Sequence, residues 1–147
     1  MSTIKTNTLT GTTSAGSILV TGEGGVETTN LQQGLAKLFI NFDGDTADGS
    51  ANLTGVNDSF NVTSLVDNAV GDYSINPTNN MGNDNLCISG HAPSADTLNS
   101  RQWAFVTSRQ KSEITASSVR VTTSYTFNAN QADFDGTSVI FHGDLAE

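Results

Sequence analysis

The sequence predicts an all-β fold, an antiparallel β-sandwich of the jelly-roll kind with an extended N-terminal arm and one short helix. Hydrophobic residues make up only 35% of the 147 residues, and the many Ser, Asn, Thr and Gly residues favour turns and exposed strands over helices. Short apolar runs with a period close to two are separated by Gly, Asn and Asp. A parallel α/β sheet is excluded because the crossover helices are missing.

Residues 1–29 are predicted to form the arm. The segment is rich in Thr, Gly and Ser, and residues 17–21 and 25–28 flank a Gly-Glu-Gly turn that predicts a small hairpin. Its few apolar residues cannot offset an ordering cost of roughly 1–2 kcal/mol per residue. The segment is therefore either a flexible tail or an arm that adds strands to a neighbouring subunit or to a larger particle. In the second case its anchoring side chains are Ile4, Leu9, Ile18 and Val20.

Residues 30–39 are the helix candidate and are predicted to connect the arm to the sandwich. Leu31, Leu35 and Leu38 follow the i, i+4, i+7 spacing that places side chains on one face of a helix. A helix this short is not stable alone, and Gly34 weakens it by roughly 1 kcal/mol relative to Ala. The leucines therefore pack either on the protein's own domain or around the threefold axis of a homotrimer.

Residues 40–147 are predicted to form the sandwich. Val119, Val121 and Tyr125 share one parity, so one face of that strand should be buried. Residues 60–76 alternate on both sides of a turn rich in Asp, Asn and Gly, which predicts an antiparallel hairpin. Half-apolar runs of this kind predict seven strands, near residues 38–42, 59–66, 71–76, 85–90, 102–108, 117–127 and 137–143.

The formal net charge of -9 is unevenly distributed along the chain. From Asp43 to Asp96 there are eight carboxylates and no Lys or Arg. The basic residues elsewhere form no dense positive stripe, so nucleic acid is excluded as a partner. No stretch approaches the ~20 apolar residues of a membrane span, and residues 1–8 lack the apolar run of a signal peptide. We therefore expect synthesis in a cytoplasm, no export by a signal peptide and no membrane insertion.

The sequence contains no spaced set of nucleophile, base and metal ligands, so a non-enzymatic protein without catalytic residues or cofactor is expected. Cys87 is the only cysteine, which rules out an intrachain disulfide, and its apolar neighbours predict a small buried side chain. His91 and His142, together with Ser94, Asp96 and Asp144, supply the residue types of a hydrolase triad. Their spacing fixes no geometry, and a triad is recognised by geometry.

Residues 43–49 resemble the first half of a calcium-binding loop, with Asp43 and Asp45 at alternating positions. The pattern then breaks, because Ala47 takes an acidic position and Thr54 stands where a bidentate Glu would close the loop. The segment is interpreted as a solvated turn. No metal ligand is predicted, and weak calcium binding by this loop is left open.

Three stretches of the chain resemble a domain that recurs in virion proteins of marine tailed bacteriophages. They are residues 31–44, 57–68 and 71–76, and they keep the order and spacing of the family. Residues 1–9 also resemble the start of its fibre-like members, whereas residues 38–39 are Leu-Phe where the family usually has Ala-Trp. The resemblance implies a structural part of a virion with other virion proteins as partners, and it does not imply a position on the particle.

Two functions are consistent with these expectations. The first is a trimeric, fibre-like surface protein of the virion that is anchored by its arm and contributes to host attachment, with a host cell-surface glycan as a further partner. The second is a capsid decoration or cement protein whose arm lies in grooves of the coat lattice. In both functions the residues assigned to anchoring and assembly are Ile4, Leu9, Ile18, Val20, Leu31, Leu35 and Leu38.

Overall fold

The chain folds into two structural units. The structure, a computed structural model, describes residues 4–10, 18–21, 25, 28–93, 104–126 and 129–144. A smaller N-terminal unit ends at Leu35, and a larger unit begins at Ala36 and contains the sandwich. The predicted start of the sandwich at residue 40 is therefore too late, because strand β3 (Leu38–Phe42) already belongs to the larger unit.

The N-terminal unit contains a two-stranded antiparallel ribbon, in which β1 (Leu19–Thr21) pairs with β2 (Thr28–Asn30). This pairing confirms the predicted hairpin, although its second strand lies at residues 28–30 and not at the predicted residues 25–28. The helix that follows, α1, is a single turn from Leu31 to Gly34, so the helix predicted over residues 30–39 is wrong in length. Glycine is its last residue, in keeping with the high entropy cost of holding glycine in a helix.

Within the described part of the larger unit, eight strands form two antiparallel sheets that enclose one core. They are β3 (Leu38–Phe42), β4 (Val56–Phe60), β5 (Val62–Ala69), β6 (Asp72–Pro77), β7 (Cys87–His91), β8 (Ala104–Ser108), β9 (Val119–Tyr125) and β10 (Thr137–His142). Sheet 1 has the order β4-β3-β10-β7 and sheet 2 the order β5-β6-β9-β8. The antiparallel sandwich is thus confirmed. The hairpins β3-β4, β5-β6 and β8-β9 keep consecutive strands in one sheet, and the jelly-roll connectivity stays a prediction.

The core lies between the two sheets and takes every second side chain from each central strand. The rings of Phe42 on β3 and Tyr73 on β6 join the sheets in an edge-to-face contact, with centroids 4.9 Å apart. Val119, Val121 and Thr123 are buried along β9, which confirms the buried face predicted there. The largest fully buried side chains are Tyr73, Phe42, Phe141, Leu38, Ile40, Leu65 and Ile75.

Leu38 does not have the assembly role that the sequence suggested. It is fully buried in the core of its own sandwich, next to Ile40 and Phe42 in the strand alternation. The spacing of the three leucines is compatible with a helix, but the alternation from Leu38 to Phe42 is compatible only with a strand. Burial of three apolar side chains in the core outweighs the weak helix propensity of a segment that contains Gly34.

Asn61 forms the corner at which the chain leaves sheet 1 and enters sheet 2. It lies between the end of β4 and the start of β5, and its φ of 58° is left-handed, a conformation that Asn tolerates better than most residues. Its Nδ2 donates to the carbonyl oxygens of Lys37 at 2.9 Å and Asn79 at 3.1 Å, and its Oδ1 accepts from the Asn79 N–H at 2.7 Å. The continuous strand predicted over residues 59–66 is therefore wrong.

Gly71 closes the β5-β6 hairpin, which the sequence predicted. Its φ is 63°, and a Cβ at this position would lie 2.6 Å from the Thr123 carbonyl oxygen. Its N–H donates to Asp133 Oδ1 at 2.6 Å, and its carbonyl accepts from the Thr123 N–H at 2.9 Å. The turn is thereby fixed against β9 and against the loop that precedes β10.

Replacing Asn61 tests how much the corner contributes to stability. Asn61→Gly keeps the backbone conformation but loses three side-chain hydrogen bonds, so it should lower the free energy of unfolding by about 1–3 kcal/mol. Asn61→Ala loses the same bonds and adds a left-handed alanine, which should cost about 1 kcal/mol more. Urea denaturation measures both variants. Equal stability of the three proteins would show that the corner is held by other contacts.

Candidate functional surfaces

Most apolar side chains among the described residues of the N-terminal unit are exposed. Ile18 and Leu31 are partly buried. Sequence reasoning missed Leu19, although it lies in the apolar run Ile18 to Val20 and a two-stranded ribbon exposes both of its faces. The exposed fractions are 87% for Ile4, 61% for Leu9, 58% for Leu19, 54% for Leu35 and 51% for Val20.

The outer face of sheet 1 carries an apolar row of side chains. The strand register places Phe60, Phe39, Ile140 and Ser89 side by side across β4, β3, β10 and β7. The rings of Phe39 and Phe60 are stacked, with 23° between their planes and centroids 6.2 Å apart. They are 37% and 55% exposed. An exposed aromatic pair on a sheet is more informative about function than a single exposed apolar residue.

A polar row lies next to the apolar row, two residues further along the strands. It consists of Asp58, Asn41, Ser138 and His91 in neighbouring register positions. Asn41 Nδ2 donates to Ser138 Oγ at 2.8 Å, and Asn41 Oδ1 accepts from Asn57 Nδ2 at 3.0 Å. Because Ser138 accepts here, its own hydroxyl proton can be donated to a ligand, and so can the second N–H of Asn57.

A groove of about 290 Å³ lies where these two rows cross β3, β10 and β7. Phe39 and Ile140 line it on the apolar side and His91 on the polar side, and the small side chains of Ser89 and Ser138 also line it. Neither row contains Lys or Arg. The combination of an aromatic wall with a few polar groups is the usual composition of a small-molecule site.

The side chain of Cys87 is exposed, so the prediction that it is buried is wrong. Cys87 begins the edge strand β7, where its parity places it on the outer face, opposite His142. Ile88 is the residue that packs against the core instead. His91 shares the outer face but lies at the other end of β7, opposite Ser138. Of the other residues considered for a triad, Ser94 and Asp96 lie outside the described residues.

The carboxylates of the acidic loop after β3 close local turns. Asp43 Oδ1 accepts from the Asp45 N–H at 2.9 Å, and Asp48 Oδ1 accepts from the Ser50 N–H at 2.8 Å and from Asn52 Nδ2 at 3.0 Å. The bond from the Ser50 backbone is the main reason that the pKa of Asp48 is lowered. The residues that the structure describes contain no group of three or more His, Cys, Asp or Glu placed to hold a metal ion.

Asp72 is the centre of an ion-pair network on the outer face of sheet 2. Its side chain is only 6% exposed, and Arg120 binds it through two bonds, from Nε at 2.6 Å and from Nη2 at 2.7 Å. Arg109 Nη1 lies 3.2 Å from the same carboxylate, and Glu113 Oε1 accepts from Arg120 Nη1 at 3.2 Å. The hydrogen bond to Asp72 raises the pKa of Arg120. Because the charges pair with each other, we interpret the network as structural.

A second buried polar group joins the sheet-2 hairpin to the loop before β10. The hydroxyl of Tyr73 donates to Asp133 Oδ1 at 2.5 Å, and burial raises the pKa of Tyr73 far above its usual value. Asp67 lies nearby, and its Oδ1 is buried without a hydrogen-bond partner. Burial, followed by the charge of Asp133, raises the pKa of Asp67.

The described part of the chain includes no helix that is long and apolar enough to cross a membrane. Comparisons with protein-family models, with curated proteins and with solved structures found no match.

The raised pKa of Asp67 gives a pH-dependent prediction. At a pH above the raised pKa of Asp67 in the folded protein, the charged carboxylate lowers the free energy of unfolding. At a pH below the pKa of ~3.9 in the unfolded chain, the carboxyl is protonated in both states and this effect disappears. Asp67→Asn should therefore raise the free energy of unfolding at pH 7, and this gain should shrink as the pH falls towards 4. Urea denaturation at several pH values measures the gain, with the exposed Asp45→Asn as the control. A gain for Asp67→Asn that is equal at pH 7 and pH 4 would show that the charge is not its cause.

Proposed function

We propose that this protein is a non-enzymatic structural component of a tailed-phage virion. It acts as a homotrimeric, fibre-like surface protein that is held by its N-terminal arm and contributes to host-surface attachment. The observation that carries the proposal is the exposure of large apolar side chains in the N-terminal unit. Ile4, Leu9, Val20 and Leu35 each expose more than half of their surface.

A partner surface on the virion would cover these side chains. Each large aliphatic side chain contributes on the order of 1.5–3 kcal/mol when it is fully buried against a partner. Among the described residues, β1 and β2 form a ribbon of two edge strands, and an edge strand can pair with a strand of a neighbouring protein. Apolar anchors and backbone pairing together would hold the arm on the particle.

The larger unit has properties that suit the proposed role in host-surface attachment. Its core is closed by residues of both sheets, and its apolar side chains are buried more completely than those of the N-terminal unit. The net charge of -9 favours solubility and opposes binding to nucleic acid. A unit of this kind can present its outer faces to a host surface while the arm holds the virion.

The same arm would also suit a capsid decoration protein. The number of copies per virion distinguishes a position on the tail from a position on the capsid. A copy number close to that of the tail fibres places the protein on the tail, whereas one close to that of the major capsid protein places it on the capsid. Quantitative mass spectrometry of purified virions measures this ratio.

Deletion of residues 1–35, which removes the arm together with helix α1, tests the anchoring role of the N-terminal unit. The remaining chain from Ala36 contains the complete core, so it should stay folded, with a thermal midpoint close to that of the full chain. When it is added to virions that lack the protein, it should not co-sediment with them. In the full chain, Ile4→Ser combined with Leu9→Ser should weaken co-sedimentation, and Lys5→Ser should not. Equal incorporation of the deleted and full-length chains would contradict the proposal.

The proposed trimer is tested by light scattering. Three copies would cover apolar side chains that one copy leaves exposed, so the measured mass should be about three times 15.4 kDa. Leu35→Asn should shift the mass towards that of the monomer, because Leu35 lies in the N-terminal unit and is exposed. Leu53→Asn is the matched control, since Leu53 is similarly exposed but lies in the larger unit. A monodisperse monomer at micromolar concentration would contradict the trimer.

A further inference from the structure

We propose that the groove on the outer face of sheet 1 binds a neutral sugar ring, as found in the repeating units of surface polysaccharides. The inference rests on the proposed attachment function for its biological setting and names the ligand class of that attachment. The anchoring role was inferred from the N-terminal unit, whereas sugar binding is inferred from the groove alone.

The chemistry of the two rows matches the two sides of a sugar. A pyranose ring presents an apolar face of C–H groups and a rim of hydroxyl groups. The exposed ring of Phe39, extended by the stacked ring of Phe60, offers an aromatic surface to the C–H face. On the polar side, Ser138 and His91 line the groove and offer a hydroxyl and an imidazole group to the rim.

The spacing of the rows also fits a single ring. Phe39 and Asn41 are two residues apart on β3, which corresponds to about 6.5–7 Å along a strand. A sugar that stacks on the first row therefore brings its hydroxyl groups to the second row. Asn41 is held by its bonds to Ser138 and Asn57, so the polar row is organised before a ligand arrives, which lowers the cost of binding.

Charge selects a neutral sugar over an anionic one. Asp58 ends the polar row, and neither row contains Lys or Arg. Asp58 does not itself line the groove, but its charge would repel a carboxylate or sulfate bound there, and neither row supplies a compensating cation.

Size selects a small ligand over a second copy of the chain. The groove of about 290 Å³ lies near the ~300 Å³ lower limit of small-molecule sites. A stable protein interface buries about 800 Å² per partner, whereas two partly exposed phenylalanine rings offer roughly 200 Å². Binding at one such groove should be weak, and several copies on one particle would strengthen it by multivalency.

The test uses the full-length protein and defined oligosaccharides. Neutral oligomers of glucose, galactose and mannose are titrated in separate experiments, with a carboxylated alginate oligomer for comparison, and binding is followed by NMR shifts of the phenylalanine rings. Phe39→Val removes the ring but keeps a strand-forming side chain, and Ser89→Leu fills the groove from the edge strand. Phe39→Trp keeps an aromatic surface, and Val70→Thr is the control at an exposed apolar position that does not line the groove.

The expected result is that at least one neutral oligomer binds and that Phe39→Val and Ser89→Leu weaken it at least tenfold. Phe39→Trp and Val70→Thr should change the affinity less than threefold. Binding by none of the neutral oligomers, tighter binding of alginate, or binding that Phe39→Val leaves unchanged would overturn the inference. Phe39-dependent self-association would also overturn it, since the occupant would then be a second copy.

Virion incorporation is measured in parallel with Phe39→Val. Normal incorporation without sugar binding refutes only the groove, whereas failure of the wild-type protein to incorporate refutes the proposed function.

Discussion

Side-chain alternation along β3 is the constraint on which the rest of the sandwich depends. Leu38, Ile40 and Phe42 must face the core because they supply much of its apolar volume, and the pleat of a strand then forces Phe39 and Asn41 to face outward. A shift of register by one residue would bury Asn41 and expose Ile40. The aromatic and polar rows of the groove therefore follow from the packing of the core on the opposite face.

Hydrogen bonds at one end of the sandwich connect sheet 2 to the polar row beside the groove. Tyr73 and Gly71 both donate to Asp133, which fixes the loop that leads into β10. That loop continues to Gly136, whose carbonyl accepts from Asn41 Nδ2 at 3.2 Å. The buried hydrogen bonds of sheet 2 and the polar row of sheet 1 are thus connected through a short segment of chain. Buried polar groups that are fully paired define one arrangement, because leaving them unpaired is costly.

The two units of the chain differ in how they use apolar side chains. The larger unit buries most of them in one core, whereas five large ones are exposed among the described residues of the N-terminal unit. Exposed apolar surface is costly in water, and it is retained where a partner covers it. The exposed side chains of the N-terminal unit are therefore consistent with the proposed role in assembly, and the mixture of aromatic and polar groups in the groove is consistent with the proposed sugar ligand.

Much of the fold was accessible from the sequence because it depends on local periodicity. The alternation from Val119 to Tyr125 and the glycine-containing turn at Gly71 were recognised correctly, since a strand face and a turn are specified within a few residues. The same local view failed at Asn61, where a tertiary corner breaks an apparently continuous strand. It also failed at Leu38, whose helical spacing with Leu31 and Leu35 was accidental.

The sequence by itself determined that the chain would be an antiparallel β-sandwich with a strongly negative net charge, since composition, charge and period are properties of the chain. Only the tertiary structure decided that Phe39 and Phe60 lie side by side and that Asn41 meets Ser138. Phe39 and Phe60 come from different strands of sheet 1, and Asn41 and Ser138 are 97 positions apart in the chain. Cys87 was expected inside and is outside for the same reason, because the side of a strand that faces the core is fixed by the partner strands across the sheet.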